Sequence, residues 1–405
     1  KLSKVLATIK LDVEIPINLE GLIKYESKKN ELIKVYERLE LNSFLKNEDF
    51  EKDVVLSKDI SKENNKEITK KINVVWDKKI FTKLLKDIEE NKFISFDLET
   101  TSLDYMKAEI VGVSLALNLE ESFYIPIAHE DESKYKQLEI DYVLDKFKPL
   151  LESKSIKKLG HNLKYDRNVL LNYDITLNAI EHDSMLLSYV YDPTVIRHGL
   201  DNVAEKYLSY KTIHYEDVAG KGVKQIPFAK VDIDVAAEYA CEDSLVSYEL
   251  YNYLWEKISK NKSIVNIYTD IEMPLVPVLS NIEKNGVLID SAQLNNLSKK
   301  LEESLQEIQK ECFKVTKKEF NLNSPKQLQE ILYIDLEIPI TKKTPTGKPS
   351  TNEDTLQFLA QSHKLPALIL DYRSLNKLKT GYTDKLPLLV CKKSGRIHTS
   401  YQQAI

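Results

Sequence analysis

Phe93-Ile94-Ser95-Phe96-Asp97-Leu98-Glu99-Thr100 decides the reading of this chain. Phe93–Asp97 has the apolar character of a β-strand, and the two acids stand at its end. Residues i and i+2 of a strand project from one face, so Asp97 and Glu99 point together. Two carboxylates placed side by side repel unless a cation lies between them. An Asp-x-Glu pair is also common at solvent-facing turns, so the pair acquires meaning only from what surrounds it.

Outward from that strand, Asn73–Trp76 is strand-like and Asp77 opens a helix pattern reaching about Asn91. Further strands are expected at Ile110–Asn118 and Ser122–Ile127. Gly160-His161-Asn162 leads into an amphipathic helix with Leu163, Val169 and Leu170 on its apolar side. Helices are expected over Glu181–Tyr191, His198–Leu208 and Asp232–Ser259. Strands followed by alternating helices predict an α/β layer with a mixed sheet. Two more polar elements fall on this frame. Asp166 lies in the first turns of its helix, where the helix dipole favours an acid in any case. Tyr239 and Asp243 are i and i+4 on one face of the long helix.

The flanks read differently. Residues 1–17 predict a short extended piece, and 18–52 two short helices with Leu32, Val35, Leu39 and Leu45 as apolar positions. Ser57–Lys71, with Ile as its single kind of apolar residue, predicts a linker. In the last third, Asp290 and Ser291 cap a helix whose stripe of Leu294, Leu297, Leu301, Leu305, Ile308 and Cys312 predicts core packing. Ser324-Pro325 opens another helix, and Thr341–Thr351 is a basic loop holding Lys342, Lys343 and Lys348.

The 405 residues suffice for two or three domains. A hydrophobic fraction of 42% beside 30% charged residues excludes a disordered or fibrous chain. No apolar run approaches the roughly 20 residues of a membrane span. Three cysteines without C-x-x-C spacing exclude a disulfide framework or zinc ribbon and fit a reducing cytoplasm. The first residue is Lys1, and a piece of a longer polypeptide is expected. The net charge of −5 divides into +1 over residues 1–72, −10 over 73–260 and +4 over 261–405. An acidic middle suggests cation binding and a basic end a polyanion partner, although random surface charge gives the same sums.

Asp-x-Glu, then Asn162-x-x-Tyr165-Asp166, then Tyr239-x-x-x-Asp243 resembles the motif set of the tyrosine-containing DEDD exonucleases. FDLETTSLD, GHNLKYDRNVL, HDSMLLSYVYDP, AGKG and EYACEDS look like the proofreading domain of bacterial family A DNA polymerases. SKVLATIKLDVEIP looks like the end of that family's 5′-nuclease domain. The stretches from IEMPLVPVLSNIEKNGVLID to GRIHTSYQQAI look like the start of its polymerase domain.

The resemblance implies four parts: a 5′-nuclease remnant at 1–56, a linker at 57–72, a 3′→5′ exonuclease domain at 73–260 and the thumb with the start of the palm at 261–405. The implied fold is α/β, a ribonuclease H-like domain with a mixed five-stranded sheet, followed by a mainly helical thumb region. Implied catalytic residues are Asp97, Glu99, Asp166, Tyr239 and Asp243. The four acids would hold two divalent ions, Mg²⁺ or Mn²⁺, and Tyr239 would orient the attacking water. Implied DNA contacts are Leu103, Asn162, Tyr165, Arg197 and Tyr215 at a single-stranded 3′ end, with Arg373 and Lys377 at duplex phosphates. Tyr215 stands where the family commonly has Phe. For Leu103 and Tyr165 ordinary core packing is the alternative. The family's arginine, palm Asp, fingers-helix and His-Asp-Glu motifs do not occur here, so no polymerisation is expected; His182-Asp183-Ser184 belongs to the exonuclease region. A cytoplasmic monomer acting on DNA is expected. Two other readings stay open: an RNA-trimming DEDD exonuclease and a non-catalytic DNA-clamping fragment.

Overall fold

The structure, a computed structural model, describes residues 8–9, 29–39, 41, 71–130, 135–195 and 197–405. The chain divides into two units, Lys1–Ile68 and Thr69–Ile405. In the first, helix α1 (Lys29–Arg38) buries Ile33. The expectations for 1–17, for most of 18–52 and for linker residues 57–70 lie outside the described residues.

In the second unit, β1 (Lys71–Val74), β2 (Phe93–Thr100), β3 (Ile110–Ala116), β4 (Glu121–Pro126), β5 (Lys157–Gly160) and β6 (Ile180–Asp183) form one sheet. Their spatial order is β1-β4-β3-β2-β5-β6. The β2/β3 and β3/β4 pairs are antiparallel, and β1/β4, β2/β5 and β5/β6 are parallel. The sheet is mixed as expected but has six strands, not five. β1 begins at Lys71, inside the stretch expected to be linker. β6 occupies the start of the expected 181–191 helix, because Asp183 caps that helix and accepts the Met185 and Leu186 amides. The next expected helix begins at Leu200 rather than His198.

One face of the sheet is covered by α2 (Lys78–Asn91) and α3 (Ile140–Glu152), whose Phe81, Ile88 and Phe147 pack with Ile94 and Phe96 of β2. Asp77 caps α2 by accepting the Lys79 and Ile80 amides. α4 (Leu163–Leu170) follows β5 directly. Gly160 makes that junction: a Cβ there would sit 2.6 Å from the Phe96 carbonyl. α5 (Ser184–Tyr191), α6 (Leu200–Leu208) and α7 (Tyr215–Ala219) lead to α8 (Ile233–Ile258), capped by Asp232 and laid across the other face. Its Ala236, Ala237, Ala240 and Cys241 are all buried, so small side chains bring it close to Val111 and Tyr124.

α9 (Lys262–Ile267), a π-turn over Tyr268–Glu272 and α10 (Met273–Asn285) continue from α8. α10 runs beside α4. The remaining helices are α11 (Ser291–Thr316), α12 (Pro325–Glu330), α13 (Glu353–Ala360) and α14 (Lys364–Leu378), with their own core of Cys312, Leu328, Leu332, Leu356 and Ile369. Asp290 and Ser324 cap α11 and α12 as the sequence predicts. The α11 stripe is only partly core: Leu305 and Cys312 are buried, but Leu297 is 45% exposed. Among the described residues no helix is long and apolar enough to cross a membrane.

Candidate active site

β2 delivers the first two acids. Phe96 and Leu98 turn into the core, which sends Asp97 and Glu99 to the α8 side. The pairing of β2 with β3 shifts between Glu99 and Thr100, a bulge that ends regular pairing beside the site. Glu99 pairs with Gly112, where an added Cβ would lie 2.1 Å from the Tyr124 hydroxyl. Glycine therefore lets Tyr124 pass over β3 and reach His129 at 2.6 Å. α8 brings Asp243 down onto the pair, and oxygens of Asp97, Glu99 and Asp243 all lie within 4.8 Å of one another. Tyr239 stands one turn earlier on the same helix, and the Asp243 charge acts on its phenol.

The fourth acid comes from α4. Asp166 is 2% exposed and accepts the Leu98 amide at 3.1 Å, the residue between Asp97 and Glu99. It stands outside the three-oxygen group but feels its charge. No lysine or arginine pairs with these four acids among the described residues. Burial, against the pull of the Leu98 amide, pushes Asp97 up to about 6. Burial first, and then neighbouring carboxylates, hold Glu99, Asp166 and Asp243 well above the usual carboxylate range. The Tyr239 phenol is raised by burial and then by Asp243, which removes it as a base near neutrality. An all-oxygen donor set with unbalanced negative charge fits a hard divalent cation rather than zinc or copper.

The other expected site residues are not all gathered at this cluster. Leu103 is 93% exposed, so core packing does not explain it. Tyr165 is half-buried, its hydroxyl bound to Thr100 Oγ1 at 2.6 Å and to the Ser102 carbonyl at 2.5 Å. Asn162 takes a left-handed conformation (φ 63°) before α4, and its amide donates to Asp183. Arg197 is exposed. Tyr215 stacks on Phe228 at 6.1 Å and meets Tyr239 edge-on at 6.3 Å. Arg373 and Lys377 lie on α14, away from the acids. Arg373 donates to the Thr351 carbonyl at 2.6 Å, whereas Lys377 is exposed.

Two groups that matter here escaped sequence reasoning. Glu242 is buried beside Asp243 and accepts the Tyr210 hydroxyl and the Ile213 amide, the latter at 2.6 Å. It thereby ties the approach to Tyr215 onto α8. Asp183 joins the starts of α4 and α5 by accepting amides from both. A polar residue next to a motif acid is the available signal for Glu242. Asp183 has the Asp-Ser-apolar cap pattern.

Residues 72–259 match the 3′-5′ exonuclease family and residues 291–405 match DNA polymerase family A. Over its whole length the chain is similar to bacterial DNA polymerase I proteins. It is 43% identical to the DNA polymerase I of Pseudomonas aeruginosa over 100% of this chain and 44% of that protein. The DNA polymerase I of Bacillus subtilis is 28% identical over 100% of this chain and 42% of its own length. The chain thus spans less than half of these relatives. Its fold is similar to the POL domain of Pol1 from M. smegmatis, solved in complex with DNA primer-template and dNTP. The TM-score is 0.67 at 21% identity, covering 82% of this chain and 53% of that one.

Proposed function

We propose that this chain carries a proofreading 3′→5′ exonuclease that removes the terminal nucleotide from single-stranded or frayed DNA. The observation that carries the reading is the Asp97, Glu99 and Asp243 oxygen triplet, with Tyr239 one helical turn from Asp243. The four acids would hold two divalent ions, Mg²⁺ or Mn²⁺, Asp97 contributing to both sites, Glu99 and Asp243 to one and Asp166 to the other. Such ions supply an activated water at neutral pH and neutralise charge on the in-line displacement. Tyr239 keeps its proton and orients that water by hydrogen bonding. The water oxygen bonds to phosphorus as the bond to the penultimate sugar's 3′-oxygen breaks. The products are a nucleoside monophosphate and a shortened strand.

Exposed Leu103 offers an apolar face to the terminal base, and Tyr215, packed on the buried Phe228, an aromatic one, base–aromatic stacking being worth roughly 1–3 kcal/mol per base. Asn162, Tyr165 and Arg197 serve the strand backbone. Arg373 and Lys377, with Lys342, Lys343 and Lys348, serve duplex phosphates without reading sequence. We assign 1–56 to a 5′-nuclease remnant, the expected 57–72 linker only as far as residue 70, where β1 opens the exonuclease domain that runs to 260, and 261–405 to the thumb and start of the palm. The working form is a cytoplasmic monomer.

A 5′-labelled oligonucleotide assay in Mg²⁺ tests the reading. Single-stranded DNA is expected to yield a one-nucleotide ladder much faster than a blunt duplex, and chelation is expected to stop it. Preference for RNA would favour the RNA-trimming alternative, and no cleavage of any strand would favour the clamping one.

A further inference from the structure

The carboxylate of Glu283, on α10, is buried to 1% exposure and receives three donors. Asn168 Nδ2 donates to its Oε2 at 2.7 Å, the Tyr401 amide donates to its Oε1 at 2.7 Å, and the Lys164 ammonium donates to Oε1 as well. The same ammonium donates to the Tyr401 carbonyl. Lys164 and Asn168 are i and i+4 on α4, so Glu283 grips a single face of that helix. Asp166, two residues from each, emerges from the opposite face and accepts the Leu98 amide. Ser280 and Asn281 add to the grip, taking the Arg167 guanidinium, while Ser280 donates to Asn168 at 2.6 Å.

α4 has eight residues and no side-chain cap from its own N-cap residue, so it has little rigidity of its own. Asp183 holds its first amides; Glu283 holds its flank. Tyr401, in turn, lies in the stretch matched to family A polymerases.

We propose that Glu283 is a positioning residue for the exonuclease reaction, which sets where Asp166 stands beside β2 and keys that acid to the polymerase-side segment around Tyr401. The inference rests on the proposed role of Asp166 as a cation ligand. A buried ion pair alone is weak grounds for a stability role, and a carboxylate saturated by two donors from one face of α4 and one from the segment around Tyr401 suits orientation.

The test uses the full 405-residue chain, with Mn²⁺ titrated calorimetrically in the absence of DNA, and kcat and KM measured on single-stranded DNA. Glu283→Gln is expected to weaken the weaker Mn²⁺-binding event roughly 10–100-fold and to lower kcat, with KM changed by less than about two-fold. The tighter event is expected to stay unchanged. In an Asp166→Ala background, Glu283→Gln is expected to leave the remaining isotherm as it was. Wild-type binding and kcat in Glu283→Gln would overturn the proposal, as would further loss of the tighter event in the double variant, which would mark a general structural role. Should Glu283→Gln not fold, Asn168→Ala removes one donor only and is expected to act in the same direction; no effect there would also count against it. If Asp166→Ala itself leaves both binding events intact, the cation role of Asp166 fails, and the proposal falls with it for that separate and recognisable reason.

Discussion

Asp97 and Tyr239 show how much a single side chain's surroundings decide. Each acid of the cluster would be an ordinary surface group elsewhere. Here burial raises all four, neighbouring carboxylates raise Glu99, Asp166 and Asp243 further, and nothing basic among the described residues relieves them. The motif spacing made Asp97, Glu99, Asp166, Tyr239 and Asp243 legible because each spacing corresponds to one face of a strand or helix. What spacing could not show is that Asp166 engages the backbone of β2 while the other three acids share one small volume. Nor could it show that Arg373 is partly committed to the Thr351 carbonyl. Tyr239→Phe is expected to slow single-strand degradation on the order of 10-fold or more, since a positioned proton donor is lost. Calorimetric Mn²⁺ affinity should remain at the wild-type value, because the role proposed for the phenol is to orient water and not to bind the ion. A variant that loses Mn²⁺ binding would contradict its placement.

At the scale of elements, long periodic helices were easy to read and short strands were not. α8 and α11 begin within a residue of their predicted caps, because Asp232 and Asp290 satisfy free amides. β5 is Lys157-Lys158-Leu159-Gly160, and its buried Lys158 gives no strand signal; its ammonium finds the Ser153 carbonyl at 2.9 Å. Such a strand exists because its neighbours β2 and β6 pair with it. Packing of β3 under Tyr124 gives a prediction of this scale. Gly112→Ala should force Tyr124 aside and cost roughly 1–3 kcal/mol of stability by overpacking. Exonuclease activity should fall with it, because Gly112 pairs with Glu99; an unchanged denaturant midpoint would refute this.

β6 supplies a pH prediction. His182 lies among Tyr251, Trp255 and Tyr268, and burial pushes it down to about 4, with Glu181 raising and Lys157 lowering it slightly. An unfolded histidine titrates near 6.5. Between those values the unfolded chain binds a proton that the folded one refuses. Its contribution is therefore complete above 6.5 and is lost as pH falls towards 4. Compared with wild type, His182→Phe should show a shallower loss of melting temperature over that window. Parallel curves would mean that His182 is solvated.

The whole molecule reads as an acidic α/β layer of charge −10 over residues 73–260 followed by a basic helical region of charge +4 over 261–405. That division was visible in the sequence. The buried polar seam between α4, α10 and the segment around Tyr401 was not, since its partners lie more than a hundred residues apart and carry no periodic signal. Asp97 is the acid common to both proposed cation positions of the carboxylate cluster. The most direct measurement is the Mg²⁺-dependent rate of 3′-end degradation of single-stranded DNA by Asp97→Ala beside the wild-type chain. Activity should vanish, while the metal-free melting temperature should hold or rise as like-charge repulsion is relieved. Degradation by the folded variant at the wild-type rate would contradict the assignment.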